Sequence, residues 1–320
     1  MNTVPVILDV DTGIDDAMAL LFAVRHPGID LRAVTCVVGN AALDQVVANT
    51  LYVLDASGAG DVPVGRGASR PLLTPPHDAA HVHGPDGLGG FSRPSDRRLS
   101  GLSAIELLRR ELLAAVATGD KITVVPLAPM TNIALLLRTY PEVAAGIEKI
   151  LFMGGSAAGG NATAVAEFNV WHDPEAAAIT LAACGELDIP VTMYGLDVFY
   201  DVVVDGTDAA ALRAKPDAGA QLAGALIDAE QSLYGSETVS IGDAGAVCAV
   251  ADPDGIGTAR HPMRVELSGG FTRGQTIVDR RPRALDVLHD PHGAATTDVD
   301  VALTVDAARF AELWLDTVGG

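Results

Sequence analysis

The chain is short of cysteine, of cationic side chains and of long apolar runs, and each shortage excludes something. Three cysteines occur in 320 residues, Cys36, Cys184 and Cys248, each within an apolar stretch and none at CxxC spacing from another. That argues against a disulfide framework or a cysteine zinc site and predicts buried, reduced thiols. Lys and Arg number 21 against 41 Asp and Glu, a formal net charge of -20. A field of that sign repels polyanions, and no basic patch interleaved with aromatics interrupts it, so neither nucleic acid nor an anionic membrane is expected as a partner. No apolar run reaches the roughly 18 residues of a membrane span. The opening "MNTVPVILDV" lacks both a basic leader and a small-residue cleavage site. A cytoplasmic protein is expected.

Hydrophobic residues make up 49% of the chain, enough for a sizeable core in two average domains or one large one. Short β-branched runs alternate with Ala/Leu-rich periodic stretches: "VPVILDV" then "DDAMALLFAVRH", "IDLRAVTCVV" then "NAALDQVVANTLYVLDAS", "KITVVPL" then "TNIALLLRTY". Parallel strands need long crossovers, usually helical, so this alternation predicts an α/β fold with a mostly parallel central sheet flanked by helices. "KILFMGG" and "DIPVTMYGL" suit strands buried on both faces. No linker cuts the chain, so one domain over residues 1–320 is expected.

Three segments break the rhythm: 70–100, rich in Pro, Gly and His; 154–173, a long loop containing glycines; and 200–243, which reads as helical and acidic. Ligand sites in open α/β sheets lie at the carboxyl ends of the strands, where such loops gather.

The first strand ends in "ILDVDTGIDDAMAL", where Asp9, Asp11, Asp15 and Asp16 crowd together with no Lys or Arg among them. A period of two places Asp9 and Asp11 on one face of the strand end. Gly13 permits a tight turn, and Asp15 and Asp16 fall in the first turn of the next helix, near its positive end. Capping explains one or two acidic residues there but not four. Carboxylates a few ångströms apart raise one another's pKa unless they share a proton or a cation. An all-oxygen donor set suits Ca²⁺ or Mg²⁺, and flexible multi-carboxylate geometry favours Ca²⁺. A rival pattern is the DxDx[TV] of haloacid-dehalogenase phosphatases, which "DVDTG" resembles. It would make Asp9 a nucleophile and Asp11 a general acid/base, but Gly13 stands where that family has a hydroxyl or Val.

The stretch from Asp9 to Ala17 also resembles the signature DxDPGxDDA of the nucleoside hydrolases, the inosine-uridine-preferring N-ribohydrolases. Further similar segments follow in the family's order: "VTCVVGN" ending at Asn40, "HGPDGLGG", "PLAPMTNIAL", "GGNATAVAEFNVWHDPEAA" and "GDAGAVCAVADP". The resemblance covers nearly the whole chain. It implies a single α/β domain, and hydrolysis of ribonucleosides to free base and ribose with a Ca²⁺ that binds water and the ribose 2′- and 3′-hydroxyls. Asp11, Asp16, Asp243 and the carbonyl of Leu127 resemble the metal ligands, and Asp11 the general base. Asp15, Asn40, Asn161, Glu167 and Asn169 resemble the ribose contacts, and His83 the pocket histidine. A homodimer or homotetramer is implied by the same analogy.

The residue types suit this chemistry. Carboxylates stabilise an oxocarbenium-like state, and amides and carboxylates give a polyol its fixed donors and acceptors. Each assignment has a structural rival. Asn40 is also placed to cap a helix. Asp173 reads as an N-cap before Pro174 and Glu175, outside the site. Trp171 is expected to pack rather than to stack on substrate, and His26, His261, His289 and His292 to be loop residues.

One departure bears on mechanism. Many of the family carry a His immediately before the last metal-binding Asp, placed to protonate the departing base; here that residue is Gly242. Tyr234 or His83 is expected to contact the base instead. A non-catalytic ribose or nucleoside binder is the alternative that this absence leaves open. Thr12 stands where the signature has Pro, and Ala128 where a Gly is common.

Overall fold

A computed structural model describes residues 3–281 and 296–320. The strands are β1 (Val4–Val10), β2 (Ile29–Cys36), β3 (Val64–Arg66), β4 (Ile122–Pro126), β5 (Ile147–Met153), β6 (Val191–Tyr194), β7 (Val203–Asp205), β8 (Thr238–Ser240), β9 (Ile256–Val265), β10 (Thr276–Val278) and β11 (Thr297–Val305). The α-helices are α1 (Ile14–Arg25), α2 (Leu43–Ala56), α3 (Ala80–His83), α4 (Ala104–Thr118), α5 (Thr131–Thr139), α6 (Phe168–His172), α7 (Pro174–Glu186), α8 (Leu196–Phe199), α9 (Gly206–Arg213), α10 (Ala218–Tyr234), α11 (Asp243–Ala251) and α12 (Ala307–Gly319).

The main sheet runs β10-β9-β11-β6-β5-β4-β1-β2-β3. It is parallel from β11 to β3, as the alternation requires, and ends in antiparallel β9 and β10. Along β1, Val6, Leu8 and Val10 enter a core that includes α1 and α11 residues, while Ile7 enters the one that includes α4, α5 and α7 residues. Burial on both faces is why the run is unbroken by surface residues. The segment 200–243 is helical, as expected, but also supplies β7 and β8, a small antiparallel ribbon. His261 is correspondingly a strand residue of β9 and not a loop residue.

The cysteines are free and buried. Among the described residues no helix is long and apolar enough to cross a membrane. Chain order proceeds outward from β1 to β3 on one side and from β4 to β6 on the other. The connections therefore diverge between β1 and β4, which opens a crevice at their carboxyl ends.

Candidate active site

The floor of this crevice is the segment between β1 and α1. Asp16 accepts the N–H groups of Gly13 (2.9 Å) and Asp11 (3.2 Å), so it holds the turn as a first-turn cap. Gly13 has φ -94, an ordinary value, so handedness does not explain the glycine. Close approach does: a Cβ there would lie 2.8 Å from both Asn40 Nδ2 and His83 Nδ1.

Asn40 is not a helix cap; α2 is capped at Ala42 without a side-chain bond. Its backbone N–H donates to Asp11 Oδ2 (2.8 Å), and its amide to Asp11 Oδ1 (3.2 Å) and Asp16 Oδ2 (3.1 Å). A side chain at Gly39 would collide with Asp11 Oδ2. Asp243 arrives as the first residue of α11. Oxygens of Asp15, Asp16 and Asp243 all come within 4.8 Å of one another. Asp15 and Asp243 line the crevice, while Asp11 and Asp16 lie beneath it, fully buried.

Burial and mutual repulsion dominate the electrostatics. Burial first, then the Asp16 charge, holds Asp11 well above the usual carboxylate range. Burial and the Asp15 charge push Asp16 up to about 7. Asp243 is raised by burial and by Asp15, Asp16 and Asp11. No Lys or Arg lines the crevice among the described residues. An all-oxygen set of crowded, uncompensated carboxylates fits a hard divalent cation. Asp15, Asp16 and Asp243 are the carboxylates whose oxygens converge closely enough to hold it; of the ligands that the resemblance implies, Asp16 and Asp243 belong to this group, while Asp11 and the Leu127 carbonyl do not. The Leu127 carbonyl already accepts from Asn169 Nδ2 (2.9 Å), leaving it a second lone pair.

Asp9 stands apart. Its Oδ1 accepts from Thr35 Oγ1 (2.6 Å) and Asn132 Nδ2 (2.8 Å) below the crevice, and burial pushes it up to about 7. A group so enclosed is no nucleophile, which removes the physical basis of the phosphatase alternative. Asn132 also donates to the Cys36 carbonyl (3.1 Å) and accepts from Ala68 N–H (2.9 Å), tying β1, β2 and α5 together.

The walls gather the remaining expected residues. Asp15, Asn40, His83, Asn161, Glu167, Asn169 and Tyr234 all line one cleft of about 700 Å³. Glu167 caps α6, accepting N–H groups from Asn169 (2.8 Å), Val170 (3.1 Å) and Gly155 (2.8 Å). Burial nonetheless pushes it up to about 7. Asn161 accepts from Phe168 N–H (2.8 Å) and donates to the Tyr200 hydroxyl (3.4 Å). His83 Nδ1 accepts from Ile14 N–H (3.2 Å), so a neutral ring carries its proton on Nε2; burial lowers its pKa.

Residues with no sequence signal complete the cleft: Phe199, Tyr200, Glu230 and His77. Trp171, expected to pack, lines it as well, its ring 4.8 Å from that of His77. Asp173 is the α7 cap, as expected, accepting from Ala176 N–H (3.1 Å) and Thr131 Oγ1 (2.6 Å). His26 follows α1 and stacks on Phe22. His289 and His292 lie outside the described residues.

Gly242 is more than a missing imidazole. Its φ is +54, and a Cβ there would lie 2.7 Å from Asp15 Cβ and 2.9 Å from Phe199 Cζ. The backbone and its neighbours have closed over the place a side chain would use.

Comparison with known proteins agrees with this geometry. The family model described as inosine-uridine preferring nucleoside hydrolase matches residues 6–312. The chain is 37% identical over 319 residues to the inosine-uridine preferring nucleoside hydrolase of Leishmania major, covering 98% of this chain and 96% of that one. It is 36% identical over 282 residues to the pyrimidine-specific ribonucleoside hydrolase RihA of Photobacterium profundum, covering 86% and 89%. Among solved structures, the plant nucleoside hydrolase PpNRh1 superposes with a TM-score of 0.88 at 30% identity, covering 99% of each chain. The purine-preferring ribonucleoside hydrolase from Gardnerella vaginalis gives 0.87 at 30% identity, covering 99% of this chain and 98% of that one. A match of this extent, over a cleft built from the expected residues, places the chain in the inosine-uridine preferring nucleoside hydrolase family.

Proposed function

We propose that the protein is a Ca²⁺-dependent ribonucleoside hydrolase that releases free base and ribose, with Asp11 as general base. The observation that carries this reading is the floor of the cleft, where carboxylate oxygens of Asp15, Asp16 and Asp243 converge near the buried Asp11 and no cationic side chain lines the cleft among the described residues. A bound divalent cation supplies the charge that makes such a cluster tolerable and lowers the pKa of the attacking water. Asp11, held at both oxygens by Asn40, takes the proton from that water. Asp15, Asn40, Asn161, Glu167 and Asn169 hold the ribose. Negative charge around the sugar favours the oxocarbenium-like state over the neutral ground state.

The base lies toward His83 and Tyr234. His83 offers its Nε2–H as a hydrogen-bond donor, and Tyr234 offers a phenol from the end of α10. The enzyme works as one domain over residues 1–320, in the cytoplasm, as a homodimer or homotetramer. The direct test is reducing-sugar release from a panel of purine and pyrimidine ribonucleosides, before and after chelation, with Ca²⁺ and Mg²⁺ added back. Activity that survives exhaustive metal removal sinks the cation. Ligand-induced stabilisation without turnover on any nucleoside leaves only the non-catalytic binder.

A further inference from the structure

Glu230 lies on α10, one turn before Tyr234, and both side chains line the cleft. It makes no hydrogen bond or ion pair with the described residues, unlike Glu167 in the same cleft lining, whose oxygens are taken by three N–H groups. The charged and titratable groups facing α10 leave it uncompensated. Asp15 on α1 and the phenols of Tyr200 and Tyr234 are its electrostatic neighbours. His81 and His83 stand on α3. The nearby guanidiniums are committed elsewhere on the helix, Arg213 to Asp228 and Arg25 to Asp217.

We infer that Glu230 is the acid that protonates the departing base in this enzyme, a task for which residue 242 offers no side chain. The inference rests on the proposed nucleoside hydrolase reaction and adds a catalytic residue to it.

Elimination supports the assignment. Gly242 is closed over by Asp15 and Phe199. His83 has its Nδ1 occupied by Ile14 N–H, and burial lowers its pKa, which disfavours the imidazolium that would have to give up a proton. Tyr234 is pushed up to about 12 by burial and the Glu230 charge, too weak an acid at neutral pH. Burial and the Asp15 charge push Glu230 up to about 8, so it is an O–H donor at pH 7. That value is near the optimum for general acid catalysis.

The step balances with water as the only co-reactant. The C1′–N bond breaks and its electron pair goes to the base, which takes the Glu230 proton. The water oxygen bonds to C1′ as its proton passes to Asp11. Glu230 then regains a proton from solvent, and Asp11 returns its own.

The test compares two leaving groups. Inosine and uridine release bases that need a proton, whereas 4-nitrophenyl riboside releases a stable anion that needs none. Glu230→Gln should lower kcat on the better nucleoside by about 10²-fold or more, the ordinary worth of a general acid. The same variant should turn over the aryl riboside within about threefold of wild type, which also shows that it is folded. The alkaline fall in wild-type kcat that marks loss of the acid's proton should disappear from its profile. Equal losses on both substrates, or an undiminished kcat on the nucleoside, would overturn the assignment while leaving the proposed reaction intact. A wild-type enzyme that cleaves neither substrate would overturn both.

Discussion

Asn40 holds Asp11 at both oxygens, with its backbone N–H 2.8 Å from Oδ2 and its amide nitrogen 3.2 Å from Oδ1. The same amide reaches Asp16 Oδ2 at 3.1 Å. One side chain therefore bridges two buried carboxylates. Asn40→Ala removes the amide but keeps the backbone bond. Leaving buried acceptors short of a donor costs about 1–3 kcal/mol, so the variant should melt several degrees lower. Its kcat should fall as well, because Asp11 keeps a donor at only one of the two oxygens that Asn40 holds. Calorimetry and initial rates on the best nucleoside check both; an unchanged melting temperature would mean that Asn40 acts on the ligand alone.

The raised carboxylates make stability depend on pH in a definite direction. Asp9 and Asp16 are each pushed from an ordinary value of 3.8 to about 7. Between those values the folded state keeps protons that the unfolded state has released, so stability falls as pH rises. Above pH 7 the burial penalty is complete. Cation binding requires the deprotonated carboxylates and so strengthens over the same window. Chelated protein should therefore melt higher at pH 5 than at pH 8, and added Ca²⁺ should raise the melting temperature more at pH 8. Thermal scans at the two pH values, with and without Ca²⁺, decide it. A calcium shift that is larger at pH 5 would contradict the carboxylate floor.

Gly242 makes a third case. Inserting the family's histidine puts a β-carbon 2.7 Å from Asp15 Cβ and 2.9 Å from Phe199 Cζ, at a φ of +54. Backbone strain of that kind costs about 1–3 kcal/mol before any side-chain clash. Gly242→His should melt lower and show no gain in kcat. Adding Phe199→Ala relieves the ring contact but not the backbone, so the double variant should regain only part of the lost melting temperature. A simple rise in kcat in the single variant would show that the position had merely lost its acid.

Much of this was legible in the residues. The β1 run, the Asp cluster and the Asp173-Pro174 cap carry local signals, because strand period, turn and first-turn charge are set by neighbours in sequence. Asn132 carries none: it sits in "MTNIAL" as an ordinary helical residue, yet bonds to Asp9 across the sheet. Glu230 likewise reads as solvated polar surface in "DAEQSLY", and only the packing of α10 beside the cleft gives it a role. The expectation for Gly13 was right about the residue and wrong about the reason. Its φ is ordinary, and what excludes a side chain is the approach of Asn40 and His83, which no local pattern records.

Asn169 offers a test of the second wall. Its amide donates to the Leu127 carbonyl at 2.9 Å and to the Met153 carbonyl at 3.3 Å, so it joins the ends of β4 and β5. Asn169→Ala removes those donors at every pH. Asn169→Asp keeps the shape but, when ionised, aims a negative oxygen at two carbonyls. When protonated it can still donate one hydrogen bond. The folded state should therefore raise the pKa of the new carboxyl, and its stability should fall as pH rises. Both variants should raise KM for the nucleoside. The melting temperature of Asn169→Asp should exceed that of Asn169→Ala at pH 4.5 and lose that advantage by pH 7.5. Parallel pH profiles for the two would show that the amide's contacts with Leu127 and Met153 contribute nothing to holding this wall.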